Sequence, residues 1–146
     1  MQLVVTNSDM MKLIGGGSAY VFWQSMSNEL GTPKVLHCPE DTKHLAATNF
    51  PAGFSNANIS YFFNLDGNEI DPRIILTGDD HLAVNDIRVQ PGILNLSTND
   101  SVTWTKERHK GSGNICLDDG SVQSITSSGL RSTLADSAIT NRLVIP

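Results

Sequence analysis

The sequence predicts an α+β domain, and three observations carry that prediction. Apolar residues recur three or four apart over 18–30, apolar runs alternate on both sides of Asp119-Gly120, and aromatic and β-branched residues gather in short runs between turn formers. The helical stripe is Tyr20, Trp23, Met26 and Leu30. It is entered through Gly15-Gly16-Gly17 and closed by Gly31, Thr32 and Pro33, the order of glycine then proline that stops a helix. Residues 34–37 read as a short strand halted by Pro39. Residues 40–58 are polar and aperiodic, which predicts a long surface loop.

The middle of the chain reads as strand. Segment 58–65, NISYFFNL, leads into a turn at Asp66-Gly67, and 73–77 supplies the next strand, most economically as its antiparallel neighbour. Residues 86–89 and 101–105 are shorter strand candidates separated by a Pro91-Gly92 turn. The sharpest signal is 114–125, NICLDDGSVQSI, because Asp-Gly between alternating apolar runs marks a tight hairpin turn that needs positive φ. Thr126 to Ser128 then offer N-caps for a helix with Leu130, Leu134 and Ala138 on one face, and 142–145 form a last strand before Pro146. Internal repeats are absent, and residues 1–146 read as a single domain.

Composition narrows the function classes. The 146 residues carry ten Lys+Arg against fifteen Asp+Glu, for a net charge of −5, and no basic cluster. A phosphate-backbone partner needs concentrated positive charge, so nucleic acid is not expected as a ligand. Ser, Thr and Asn make up roughly a quarter of the chain, which suits an ordered, turn-rich globule. No apolar run reaches the about 18 residues of a spanning helix, and the first residues lack the pattern of a secretory signal. Cys38 and Cys116 form no CxxC pair; a disulfide and two free thiols are both compatible with them.

Candidate chemistry is sparse. His37, His44, His81 and His109 show no ligand-pair spacing, and Gly78-Asp79-Asp80-His81, two carboxylates beside an imidazole, is the nearest approach to a hydrolytic or metal-binding group. Asp66-Gly67-Asn68-Glu69 and Asp118-Asp119-Gly120-Ser121 supply oxygens suited to Ca²⁺ but lack EF-hand spacing, and turn chemistry accounts for both. There is no nucleophile elbow or phosphate-cradling loop. Trp23, Trp104, Tyr61, Phe62 and Phe63 suit a core, with a binding platform as the alternative. No catalytic residue, cofactor or metal ligand is assigned; Ca²⁺ bound across the loops is the one ion left open.

One spacing stands out. His109, nine residues, then Asp119-Gly120 form the stretch HKGSGNICLDDGSV, which resembles the H-x9-DG segment associated with prepilin processing in pilin-like proteins of planctomycete and verrucomicrobial bacteria. SNELGTPKVLHCPED, TNFPAGFSNANISYFFNLDGNEIDPRIILTGDDHL and LRSTLADSAITNRLVIP look like the rest of the globular part of such proteins, so the resemblance runs from about Ser18 to Pro146. The chain departs from the pattern at Gly78-Asp79-Asp80-His81, where related sequences carry GDRN, and at Cys116, where they carry a small residue.

The resemblance implies a pilin-like packing, with an N-terminal helix laid on an antiparallel sheet and a C-terminal hairpin. It also implies a non-enzymatic subunit of a type II secretion pseudopilus or type IV pilus-like filament. The 146 residues would then be an ectodomain whose hydrophobic N-terminal helix is missing. That helix would be its only contact with a membrane and its means of joining other pilin-like subunits and the secretion or pilus machinery, at the periplasm or cell surface. His109, Asp119 and Gly120 would be structural, His109 fixing the loop that feeds the hairpin. The alternatives are a periplasmic or surface module binding a glycan or secreted substrate and, third, a metal-dependent hydrolase using Asp79, Asp80, His81 and His109.

Overall fold

Strands dominate the computed structural model, which describes residues 6–68, 70–137 and 140–146. The helices are α1 (Asn7–Gly15), α2 (Tyr20–Ser25), α3 (Ser27–Leu30) and α4 (Ser127–Asp136). The strands are β1 (Tyr61–Asn64), β2 (Ile75–Asp79), β3 (Leu82–Val84), β4 (Ile87–Arg88), β5 (Gly92–Leu96), β6 (Val102–Trp104), β7 (Ser112–Leu117), β8 (Val122–Thr126) and β9 (Asn141–Ile145). An antiparallel sheet of six strands runs in the order β5-β9-β1-β2-β7-β8, and β4-β3-β6 form a second sheet of three.

Side-chain alternation explains the layering, because successive residues of a strand face opposite sides of the sheet. Phe62, Ile115, Leu143 and Ile145 point to one face, where they meet Leu82, Val102 and Trp104 of the small sheet and Leu130 of α4. Phe63 and Val144 point to the other, against Ile14 of α1, Trp23 of α2 and Phe50, Phe54 and Ile59 of the long loop. On that side the Phe22 ring stacks on Phe63 with centroids 3.8 Å apart. The proposed aromatic platform is thereby taken up: Trp23, Trp104, Phe62 and Phe63 are all buried.

The expected α+β, pilin-like arrangement is overturned. The fold is mostly β, and among the described residues no long N-terminal helix lies on the sheet; the helices are short. The 18–30 stripe is interrupted at Met26, whose φ of −96° and ψ of 17° end α2, and its amide bonds to Trp23 and Gln24 as a cap. The segment splits into six- and four-residue helices, lengths that hold only by packing. Residues 34–37 are no strand either. Thr32 caps a 3-10 turn at Pro33–Leu36, where proline at the first position presets the turn.

Other expectations correspond to what is found. Phe62 of β1 lies opposite Gly78 of β2 in an antiparallel pair, and β7 and β8 form the hairpin across Asp119-Gly120, with Gly120 at φ +82°. Thr126 caps α4 by accepting from the Gly129 amide, and Leu130 is buried; Ala138 lies outside the described residues, as does Glu69. The cysteines are two free thiols.

Candidate functional site

The link from β2 to β3 carries Asp79, Asp80 and His81 out of the large sheet and into the small one. Leaving the ladder exposes backbone groups that other partners must satisfy. The Asp80 amide donates to the Ser60 carbonyl (3.0 Å) and the Thr105 amide to the His81 carbonyl (2.8 Å), which ties the crossing to both sheets. Asp79 and His81 are 0% exposed and Asp80 is 5% exposed.

Arg108 enters from the segment after β6 and supplies the positive charge. Its guanidinium pairs with Asp80, reaches Asp41 Oδ2 at 3.2 Å and donates to the Ser60 carbonyl at 3.3 Å, with Asp79 Oδ1 at 4.0 Å. Asp41 arrives from the loop after Pro33–Leu36. Burial opposes its ionisation, but donation from the His44 ring, the Ser60 hydroxyl and the Lys43 and His44 amides outweighs this and holds its carboxyl well below the usual range. A cavity of about 170 Å³ opens beside this ion-pair group, lined by Asp41, His44, Glu107 and Arg108 among others.

His109 adjoins the same group from the other side. Its Nε2 is 3.4 Å from Cys38 Sγ and 3.5 Å from Asp79 Oδ2, and its Nδ1 is 3.3 Å from Glu40 Oε2. Glu40 also accepts from the His109 amide at 2.8 Å. The backbone there is left-handed, with φ +50° at His109 and +56° at Lys110. Non-glycine residues persist in that region only where surroundings hold them, at a cost of about 1–3 kcal/mol each. Asp79 Oδ2 accepts from the Asn114 amide (2.7 Å) and side chain, whereas Oδ1 is buried without a hydrogen-bond partner. His81 stacks on Trp104, and burial pushes its pKa down despite the bond from Nε2 to the Ser112 carbonyl. Burial, with Cys38 and Asp79 nearby, pushes the Tyr61 hydroxyl up to about 12.

The residues of H-x9-DG separate in space by role. His109 joins the buried group, while Asp119 accepts from the Ser121 amide within its own turn and Gly120 supplies the positive φ that the turn requires. The two acidic turns considered for Ca²⁺ do meet, through a 2.7 Å bond from the Asn68 amide to Asp118 Oδ2, and Asp66 is engaged by Arg142 at 2.6 Å. Sequence reasoning singled out Asp79, Asp80, His81 and His109 but missed Arg108, Asp41, Glu40 and Cys38 as their partners. The only available signal was that Cys38-Pro39-Glu40-Asp41 belongs to the segments carrying the resemblance. Among known proteins, no family model, no curated protein and no solved structure matches this chain.

Proposed function

We propose that this domain is the non-enzymatic head of a pilin-like filament subunit, displayed at the periplasm or cell surface in a pseudopilus or type IV pilus-like assembly. The observation that supports this reading is the convergence of the segments carrying the family resemblance. Cys38-Pro39-Glu40-Asp41, Ser60 of NISYF, Gly78-Asp79-Asp80-His81 and His109 come from distant parts of the chain and engage one another around Arg108. Their polar groups are used inside the protein, to pin loops to two sheets, and this is the economy expected of a head domain selected for a rigid shape. The hydrolase reading needs Asp79, Asp80 and His81 at an accessible cleft, but these side chains are buried. The binding-module reading loses most of its aromatic surface to the core.

The test is localisation in the cell that makes the protein. An epitope tag placed in the exposed turn about Asn99 is followed through shearing of surface filaments. Recovery of the tag in the purified filament fraction, in stoichiometric amounts, is the expected result. Recovery only as a dispersed periplasmic or cytosolic protein overturns the proposal, and the periplasmic case favours the binding module.

A further inference from the structure

Cys38, Asp79 and His109 place a sulfur, an oxygen and a nitrogen donor within 4.8 Å of one another. We propose that these three side chains bind one divalent transition ion of the zinc class, which clips the Cys38 loop, the end of β2 and the turn before β7 together. The proposal stands apart from the filament reading and holds for a head domain or for any other role.

Donor spacing is the first argument. Zinc bonds of about 2.3 Å to sulfur and about 2.0–2.2 Å to nitrogen and oxygen put neighbouring ligand atoms of a tetrahedron about 3.4–3.6 Å apart. The Sγ to Nε2 and Nε2 to Oδ2 separations are 3.4 and 3.5 Å. A thiolate with an imidazole selects a borderline-soft ion and disfavours Ca²⁺ and Mg²⁺, which take oxygen.

The surroundings of the donors are the second. A metal-bound histidine characteristically gives its other ring N–H to a carboxylate, which fixes the tautomer. Glu40 Oε2, held by the His109 amide, stands 3.3 Å from Nδ1, within reach of that role, and Nε2 is the ring nitrogen that faces Cys38 and Asp79. The Asp79 carboxylate is itself oriented by the amide and side chain of Asn114, and the buried His81 ring lies 5.9 Å from the His109 ring.

Charge is the third, and it is independent of the other two. Asp41, Asp79 and Asp80 are 7%, 0% and 5% exposed, and among the described residues the guanidinium of Arg108 is the one Arg or Lys group paired with them. Arg108 contacts Asp80 and Asp41 closely but stands 4.0 Å from Asp79, whose Oδ1 has no hydrogen-bond partner and whose Oδ2, the oxygen that faces His109, accepts from the uncharged Asn114. Buried carboxylate left without compensation is costly, and a cation at Asp79 supplies the missing charge. The neighbouring trio Asp41, His44 and Asp80 also has donors within reach of one ion, but there the guanidinium already provides the cation. Cys38 and His109 lie 71 residues apart in sequence, so an ion joining them closes a long loop. On binding, the Cys38 thiol loses its proton to solvent and the sulfur lone pair goes to the metal.

Titration of the reduced, chelator-stripped full chain with Co²⁺ tests the proposal. Expected are saturation at one ion per chain, a thiolate-to-cobalt charge-transfer band, displacement of Co²⁺ by Zn²⁺, and a higher Tm with Zn²⁺ than without. Cys116→Ser keeps the band and Cys38→Ser loses it. Glu40 is a largely exposed side chain, so Glu40→Gln leaves the fold intact and weakens binding about 10–100-fold. The absence of a charge-transfer band in the unsubstituted protein overturns the proposal, as does a band lost in Cys116→Ser or unchanged Zn²⁺ affinity in Glu40→Gln. Should Cys38→Ser not fold, protection of Cys38 from alkylation by Zn²⁺ replaces it, and equal alkylation with and without the ion overturns the proposal.

Discussion

Arg108 is the residue on which the buried polar group depends. Its removal leaves Asp80 and Asp41 as charges without their cation, and breaking a buried pair in this way costs about 3–5 kcal/mol. Arg108→Ala is expected to lower the unfolding free energy obtained from urea titrations by that amount. Arg108→Lys should recover less than half, because an ammonium cannot fork between two carboxylates and a carbonyl. An unfolding free energy within about 1 kcal/mol of the parent, on the scale of an ordinary surface substitution, would remove the guanidinium from its central place. Asp79-Asp80-His81 was legible as a concentration of chemistry, but its burial was not. The burial comes from β3 and β6, which cover the crossing, and from Arg108, which is distant from it in sequence.

The β7–β8 hairpin was legible because its determinants are local: a turn closed by Gly120 at positive φ and a period of two. One constraint inside it is not local. A Cβ added at Gly113 would fall 2.5–2.6 Å from the Trp104 indole, whose position is set by the small sheet. Gly113→Ala is expected to cost about 1–3 kcal/mol as an overpacked site, with altered near-ultraviolet circular dichroism from the displaced indole. Helix α1 was missed although Thr6, which accepts from the Asp9 amide, marks its start; the glycines after it read as an entry to the next helix and drew attention from it. The turn after β1 ties to β9 through Asp66 and Arg142. That guanidinium, more than partial burial opposes it, holds the Asp66 carboxyl below its ordinary 3.8. The folded state therefore has this stabilisation above pH 3.8 and loses it as the pH falls toward the folded value. Asp66→Asn should lower Tm at neutral pH, where the stabilisation is present, and converge with the parent on the acid side, so that the decline of Tm with falling pH is flatter.

At the scale of the whole molecule the six-stranded sheet is covered on both faces, by α1, α2 and the long loop on one and by the small sheet and α4 on the other. Phe62 and Phe63 are adjacent in sequence and belong to different cores. Phe62→Ala is expected to destabilise by about 3–5 kcal/mol, and hydrogen exchange should find the amides of β1 and β9 among the slowest. Rapid exchange in β1 would contradict its central place. Thiol titration of the reduced, metal-free native protein should register the half-buried Cys116 first and the buried Cys38 slowly, with two thiols on unfolding. By itself the sequence determined the DG hairpin, the β1–β2 pair and the capped helix α4, because turn chemistry and caps act over a few residues. The tertiary structure alone decided that the fold is mostly β, that the aromatics are core, and that Cys38, Asp41, Asp79, Asp80, Arg108 and His109 meet. Those outcomes depend on which strands pair and which layers cover them, and contacts between residues tens of positions apart leave no period in the sequence.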